Sequence, residues 1–238
     1  MFAIALQWRR ARWLRFAPGS TGLFLLLSVP LLFLLPLQDV PLFSDWRGGA
    51  TTIFWLGTVL VTALFSKDSG YVPRSDVWPY QKGIALVDWH TYNWLLDGAA
   101  ALVVLLWWSA LLAFGMQLHP GWNGQLFIGI LIASGLLILI THSFLFAVGA
   151  AGIPRAIDIF VVAALLGVFR PLLLGRLPEL IRTPLGAILP PIVDAYGASR
   201  LLLQGEPGAF KPLLAVFAYS FACCTIALFL LRRAKPPV

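Results

Sequence analysis

Six runs of apolar residues, nearly free of charge, divide this chain, and a run of that kind has few ways to exist in water. They cover roughly residues 21–38, 50–65, 98–118, 125–149, 156–174 and 212–231. A helix needs about 20 mostly apolar residues to cross the hydrocarbon of a bilayer, where every backbone N–H and C=O must be satisfied inside the segment. All six runs reach that length or approach it; 50–65 is the shortest and needs flanking residues or a small tilt. Composition points the same way, with 60% apolar and 11% charged residues against about 25% charged in soluble domains. The expected fold class is an all-α integral membrane protein with six transmembrane helices, a single polytopic domain over residues 1–238.

Orientation follows from where the lysines and arginines fall. Arg9, Arg10, Arg12 and Arg15 precede the first run, and Lys67, Arg74 and Lys82 lie between the second and third. Arg155 precedes the fifth, and Arg232, Arg233 and Lys235 follow the sixth. With six spans all of these share one side, while the connections at 39–49 and 119–124 hold only Arg47. Both termini are therefore expected in the cytoplasm. The same clustering at the ends of apolar runs accounts for the net charge of +7 and argues against nucleic-acid binding. Trp8, Trp13 and Phe16 alternate with the first arginines, which reads as an amphipathic interfacial helix within residues 1–20. A cleavable signal peptide is the alternative, but no small-x-small site follows the apolar run.

One segment departs from this charge pattern. Arg170, Arg176, Arg182, Arg200 and Lys211 stand on the expected outer side, around the irregular stretch 175–211. Its apolar part, 185–196, is too short to span and is interrupted by Pro190 and Pro191. A seventh span would also carry the Arg232–Lys235 tail outside. A re-entrant or interfacial hairpin is the expectation, since broken backbone at membrane depth is tolerated where protein or a water cavity shelters it.

Short catalytic signatures are missing. There is no HExxH, no GxSxG, and no lysine among Lys67, Lys82, Lys211 and Lys235 follows a glycine, so no phosphate-binding loop exists. Any ATP-driven work needs a separate motor subunit. Cys223 and Cys224 are neighbours, which suits neither a disulfide nor a metal site. His142, between Thr141 and Ser143 in the fourth run, has no histidine or acid one helical turn away. It reads first as a neutral imidazole bonded to a neighbouring helix and second as lining a substrate or proton path. Arg170, followed by Pro171, reads first as snorkelling to headgroups and second as contacting an anionic ligand. Arg155 and Asp158 are spaced for a local ion pair.

Between the second and third runs lies SDVWPYQKGIALVDWHTYNWLLD, residues 75–97, rich in tryptophan, tyrosine and aspartate. Helical spacing puts Ile84, Val87, Trp94 and Leu95 toward one side and Lys82, His90, Asn93 and Asp97 toward the other. Three readings compete: a protein-docking surface, a headgroup anchor, and an acid–base site using His90 and nearby aspartates. Docking is preferred. Tryptophan and tyrosine supply large contact area, and Asp68, Asp76, Asp88 and Asp97 outnumber Lys67, Arg74 and Lys82, whereas a membrane-surface helix is richer in basic residues.

In the order of its parts the chain resembles the permease subunits of type-2 ABC exporters. A basic amphipathic helix, a first span, a short outer connection and a second span come first. A long cytoplasmic stretch, three spans, an irregular outer segment and a last span ending in "LFLLRRAKPPV" follow. "KDSG" at Lys67–Gly70 matches the start of the family's cytoplasmic stretch, while "QKGIA" at Gln81–Ala85 stands where a proline and a small hydroxyl residue are usual. The resemblance implies a coupling helix within residues 66–97 that docks a cytoplasmic ABC ATPase, with Asp68, Asp76, Trp78, Tyr80, Lys82, Asp88, Trp89 and His90 as the contacting residues. It implies a second permease copy or paralogue, no cofactor in this chain, and ATP with magnesium on the partner; His142 and Arg170, by their second readings above, are the substrate-path candidates. The setting would be a bacterial cytoplasmic (inner) membrane. Family substrates include drugs, antimicrobial peptides, lipids and glycan carriers. A non-transporting subunit or assembly factor of a larger membrane complex is the alternative.

Overall fold

Helix α1 runs unbroken from Leu86 to Leu118 over 33 residues, about 50 Å at 1.5 Å per residue. The expected third span is thus the later part of a helix that begins at Leu86, inside the aromatic stretch. Asp88 in its first turn complements the positive end of the helix dipole. The computed structural model describes residue 83 and residues 85–118, 124–153 and 156–233. The expected N-terminal amphipathic helix, the first two spans and Asp68, Asp76, Trp78, Tyr80 and Lys82 lie outside the described residues, as does Arg155 of the expected local ion pair.

All elements among the described residues are helical. After α1 come α2 (Gly124–Ala150), α3 (Ala156–Val168), α4 (Arg170–Gly175), α5 (Glu179–Ile188) and α6 (Ile192–Leu203). A 3-10 turn at Pro207–Ala209 then leads into α7 (Phe210–Arg233). Two stretches among the described residues are long and apolar enough to cross a membrane: Leu131–Ala150 within α2, and Pro207–Arg233.

Backbone chemistry sets the element boundaries. Beyond α2, Gly152 N–H bonds to the Gly149 carbonyl at 2.9 Å and Ile153 N–H to Val148 at 3.3 Å, the paired bonds of a Schellman cap. Beyond α6, Gly205 and Glu206 repeat the pattern on Leu202 and Leu201. Both caps need a positive φ, and Gly152 at +69° and Gly205 at +66° provide it. The expected fifth span, 156–174, is a kinked pair instead of one helix. Pro171 has no N–H to give the Gly167 carbonyl and its ring crowds that oxygen, so α3 stops at Val168 and the chain turns at Phe169 before α4 resumes. The stretch expected as a hairpin around 185–196 divides at Leu189–Pro191, three buried residues between α5 and α6.

The core lies along α2. Leu137, Ile140 and Leu145 of α2 meet Phe160 and Ala164 of α3, Ile192, Ala195 and Ala198 of α6, and Val216 of α7. Small residues at these crossings let backbones approach closely. The closest such approach is at Gly167, where an added Cβ would stand 2.6 Å from the Pro190 carbonyl oxygen. A second cluster joins Phe146 and Ala150 of α2 to Ala227 and Leu231 of α7, with Val87 and Trp94 of α1 packed against it. The last turn of α7 carries Arg232 and Arg233, the charge that the negative helix end favours, and Arg233 lies 4.2 Å over the Phe229 ring.

Candidate functional site

In two places among the described residues polar side chains join different helices. The first is the seam between α1 and α2. His142 is 4% exposed, and its Nε2 lies 2.8 Å from the backbone oxygen of Trp94. A carbonyl can only accept, so Nε2 carries the proton, and the ring is a donor across the helix pair. The imidazole also stacks on the Trp94 indole at 5.3 Å and 17°, and that indole stacks in turn on Phe146 at 5.4 Å. Thr141 Oγ1 donates to Leu137 O at 2.7 Å within α2, and Cys224 Sγ of α7 lies 3.7 Å from Ser143 Oγ. His142 therefore ties α2 to α1 while its neighbour Ser143 faces α7.

The start of α1 is packed against expectation. Trp89 is 2% exposed and His90 1% exposed, and Asn93 is buried as well, while Leu95 is exposed. The side assigned to polar contact thus faces inward at His90 and Asn93. Asn93 Nδ2 donates to Trp89 O at 3.0 Å, a bond within the helix, and Trp89 packs with Tyr92 and Leu96. Burial pushes the His90 pKa down from 6.5 to about 4, because the charged form loses its water. At neutral pH His90 is therefore an uncharged interior group. As packed, neither Trp89 nor His90 offers surface to a partner; Asp88, exposed, does.

The second place is the kink. Arg170, the first residue of α4, donates from Nη1 to Asp194 Oδ2 of α6 at 2.7 Å, with both side chains partly buried. Arg170 is thus engaged within the chain. Asp194 did not emerge from the sequence as a site residue; its one signal is an acid standing alone in the apolar stretch after the proline pair. His142 and Arg170 are held by different elements, one against α1 and the other against α6. Among the described residues no group of three His, Cys, Asp or Glu side chains is placed to hold a metal.

No protein-family model matches the chain, and neither a curated protein nor a solved structure matches it.

Proposed function

We propose that the chain is the membrane-spanning permease subunit of an ATP-driven exporter, docking a separate cytoplasmic ATPase and forming the translocation path with a second permease copy or paralogue. The proposed topology has six spans in a bacterial cytoplasmic membrane with both termini inside. The observation that carries this reading is the single helix α1, which runs without a break from exposed Asp88 in the charged stretch to Leu118. A continuous helix moves as one body, so force applied near its start reaches the seam where His142 binds Trp94. The kinked α3–α4 pair and the α5–α6 segment fit the fifth span and the irregular outer segment of that topology. The contact surface for the motor centres on Asp68, Asp76, Trp78, Tyr80, Lys82 and Asp88, with Trp89 and His90 supporting it from within.

Purification of a tagged form, gently solubilised from its own cells, tests the proposal. A nucleotide-binding protein with a phosphate-binding loop is expected to copurify; its absence, together with no ATP-dependent efflux, would refute the reading. The alternative is a non-transporting subunit or assembly factor, favoured by the burial of Trp89 and His90, which removes part of the aromatic surface from contact. It predicts a stable complex without any ATPase and no effect of ATP.

A further inference from the structure

Along the segment Arg170–Ile188 no residue is fully buried. None of the residues of α4 or α5 is buried, yet the two helices carry Leu172 at 66% exposure, Leu180 at 88% and Ile188 at 67%. Among the described residues the two ends of the segment are tied to the bundle, by Arg170 on Asp194 and by the Tyr219 hydroxyl, which donates to Ile188 O at 3.3 Å. Such an apolar surface in water would be a liability unless something apolar covered it.

The pattern along α5 says what covers it. Leu180, Ile181, Pro184, Leu185 and Ile188 fall on one face of the helix, and Glu179, Arg182 and Thr183 fall on the other. Exposed Arg176 and Arg182 border the apolar face, with Arg182 giving one N–H to Leu177 O at 3.1 Å. Exposed apolar residues are found on α3 as well, at Val162, Leu165 and Leu166, and at Phe169 of the turn that joins α3 to α4. A protein partner would need only the patch; exposed apolar residues on the preceding helix too, and arginines set along the edge, match a bilayer whose headgroups begin where its hydrocarbon ends.

We infer that α5 is an interfacial helix that lies in the membrane surface, with Leu180, Ile181 and Ile188 in the acyl boundary and Arg176 and Arg182 on anionic lipid phosphates. This divides the segment differently from a hairpin over 185–196: α5 belongs to the lipid surface, while α6, with Ile192 and Ala195 fully buried, belongs to the protein core. The inference rests on membrane insertion of the neighbouring helices and is independent of transport.

Spin labelling of the full chain in phosphatidylcholine vesicles, with and without phosphatidylglycerol, tests it. Labels are placed at Leu180→Cys, Ile181→Cys, Glu179→Cys and Thr183→Cys in a Cys223→Ala, Cys224→Ala background. The ratio of oxygen to water-soluble nickel accessibility is expected to be about tenfold higher at 180 and 181 than at 179 and 183. Phosphatidylglycerol should deepen the label at 180, and Arg176→Gln with Arg182→Gln should abolish that deepening. Equal nickel access at all four positions overturns the inference, and so does exclusion of both reagents, which would mean a protein covers the face. A lack of any phosphatidylglycerol effect overturns the assignment to anionic headgroups. Alkylation by a water-soluble maleimide in the native-cysteine chain gives a second reading: Thr183→Cys should react much faster than Leu180→Cys, and equal rates count against the inference.

Discussion

The start of α1 and the α4–α5 excursion place side chains in opposite ways. At the start of α1, His90 and Asn93 are inside and Leu95 is outside; along α4 and α5 nothing is inside, and Leu172, Leu180 and Ile188 face out. In water both arrangements are unfavourable, the first burying polar atoms and the second exposing hydrocarbon. In a bilayer the second becomes favourable, and polar groups belong on the inward face of a helix, where protein can satisfy them. The difference teaches that polarity places a side chain only once the surrounding medium is known.

Substitutions can sharpen or break that contrast. The largest expected effect is at the start of α1, where Trp89→Ala empties a buried site and should cost about 4 kcal/mol of stability, read from denaturant titration in detergent micelles. A loss below about 1 kcal/mol would mean that the indole is not a packing element. His90 should then govern the pH dependence. The folded state holds its pKa at about 4 against 6.5, so between those values the unfolded chain binds a proton that the folded chain does not. Stability is full above pH 6.5 and declines as pH falls toward 4, by up to about 3 kcal/mol, and His90→Gln should flatten that decline.

Smaller effects belong to the excursion. Asp194→Asn loosens its tie to α6 and should cost about 1 kcal/mol, because a partly exposed ion pair is screened. A double-mutant cycle with Arg170→Gln should recover most of that as coupling. The smallest effect is expected for Leu180→Ser, within about 0.5 kcal/mol, since the residue is 88% exposed. A large loss there would place α5 in a protein interface and erase the contrast.

Much of the helical order is visible in the chain itself. The runs at 125–149 and 212–231 correspond to α2 and α7 within a residue or two, because apolar length and flanking glycine, proline or arginine mark both ends. Pro190 and Pro191 mark the break between α5 and α6 for the same local reason. Pro171 carried an equally local signal for the kink, which the apolar run around it obscured. At the start of α1 spacing separates two faces but does not say which one meets the bundle, and residues of both do: Val87 and Trp94 pack against the α2–α7 cluster while His90 and Asn93 are buried. The Arg170–Asp194 pair is separated by α4, α5 and the proline break, so no periodicity could join its partners. The bond from His142 to a neighbouring helix was foreseeable as a kind of contact, because a lone imidazole among leucines needs a partner, but its acceptor, the Trp94 carbonyl, depends on packing.

The central claim is that the charged stretch before α1 docks a motor while the excursion meets lipid. Photocrosslinking in living cells tests both halves at once, with benzoylphenylalanine replacing Trp78 in one strain and Leu180 in another. The expected result is an adduct between position 78 and a nucleotide-binding protein, with no protein adduct at position 180. A protein adduct at position 180, or no nucleotide-binding adduct at position 78, would contradict it.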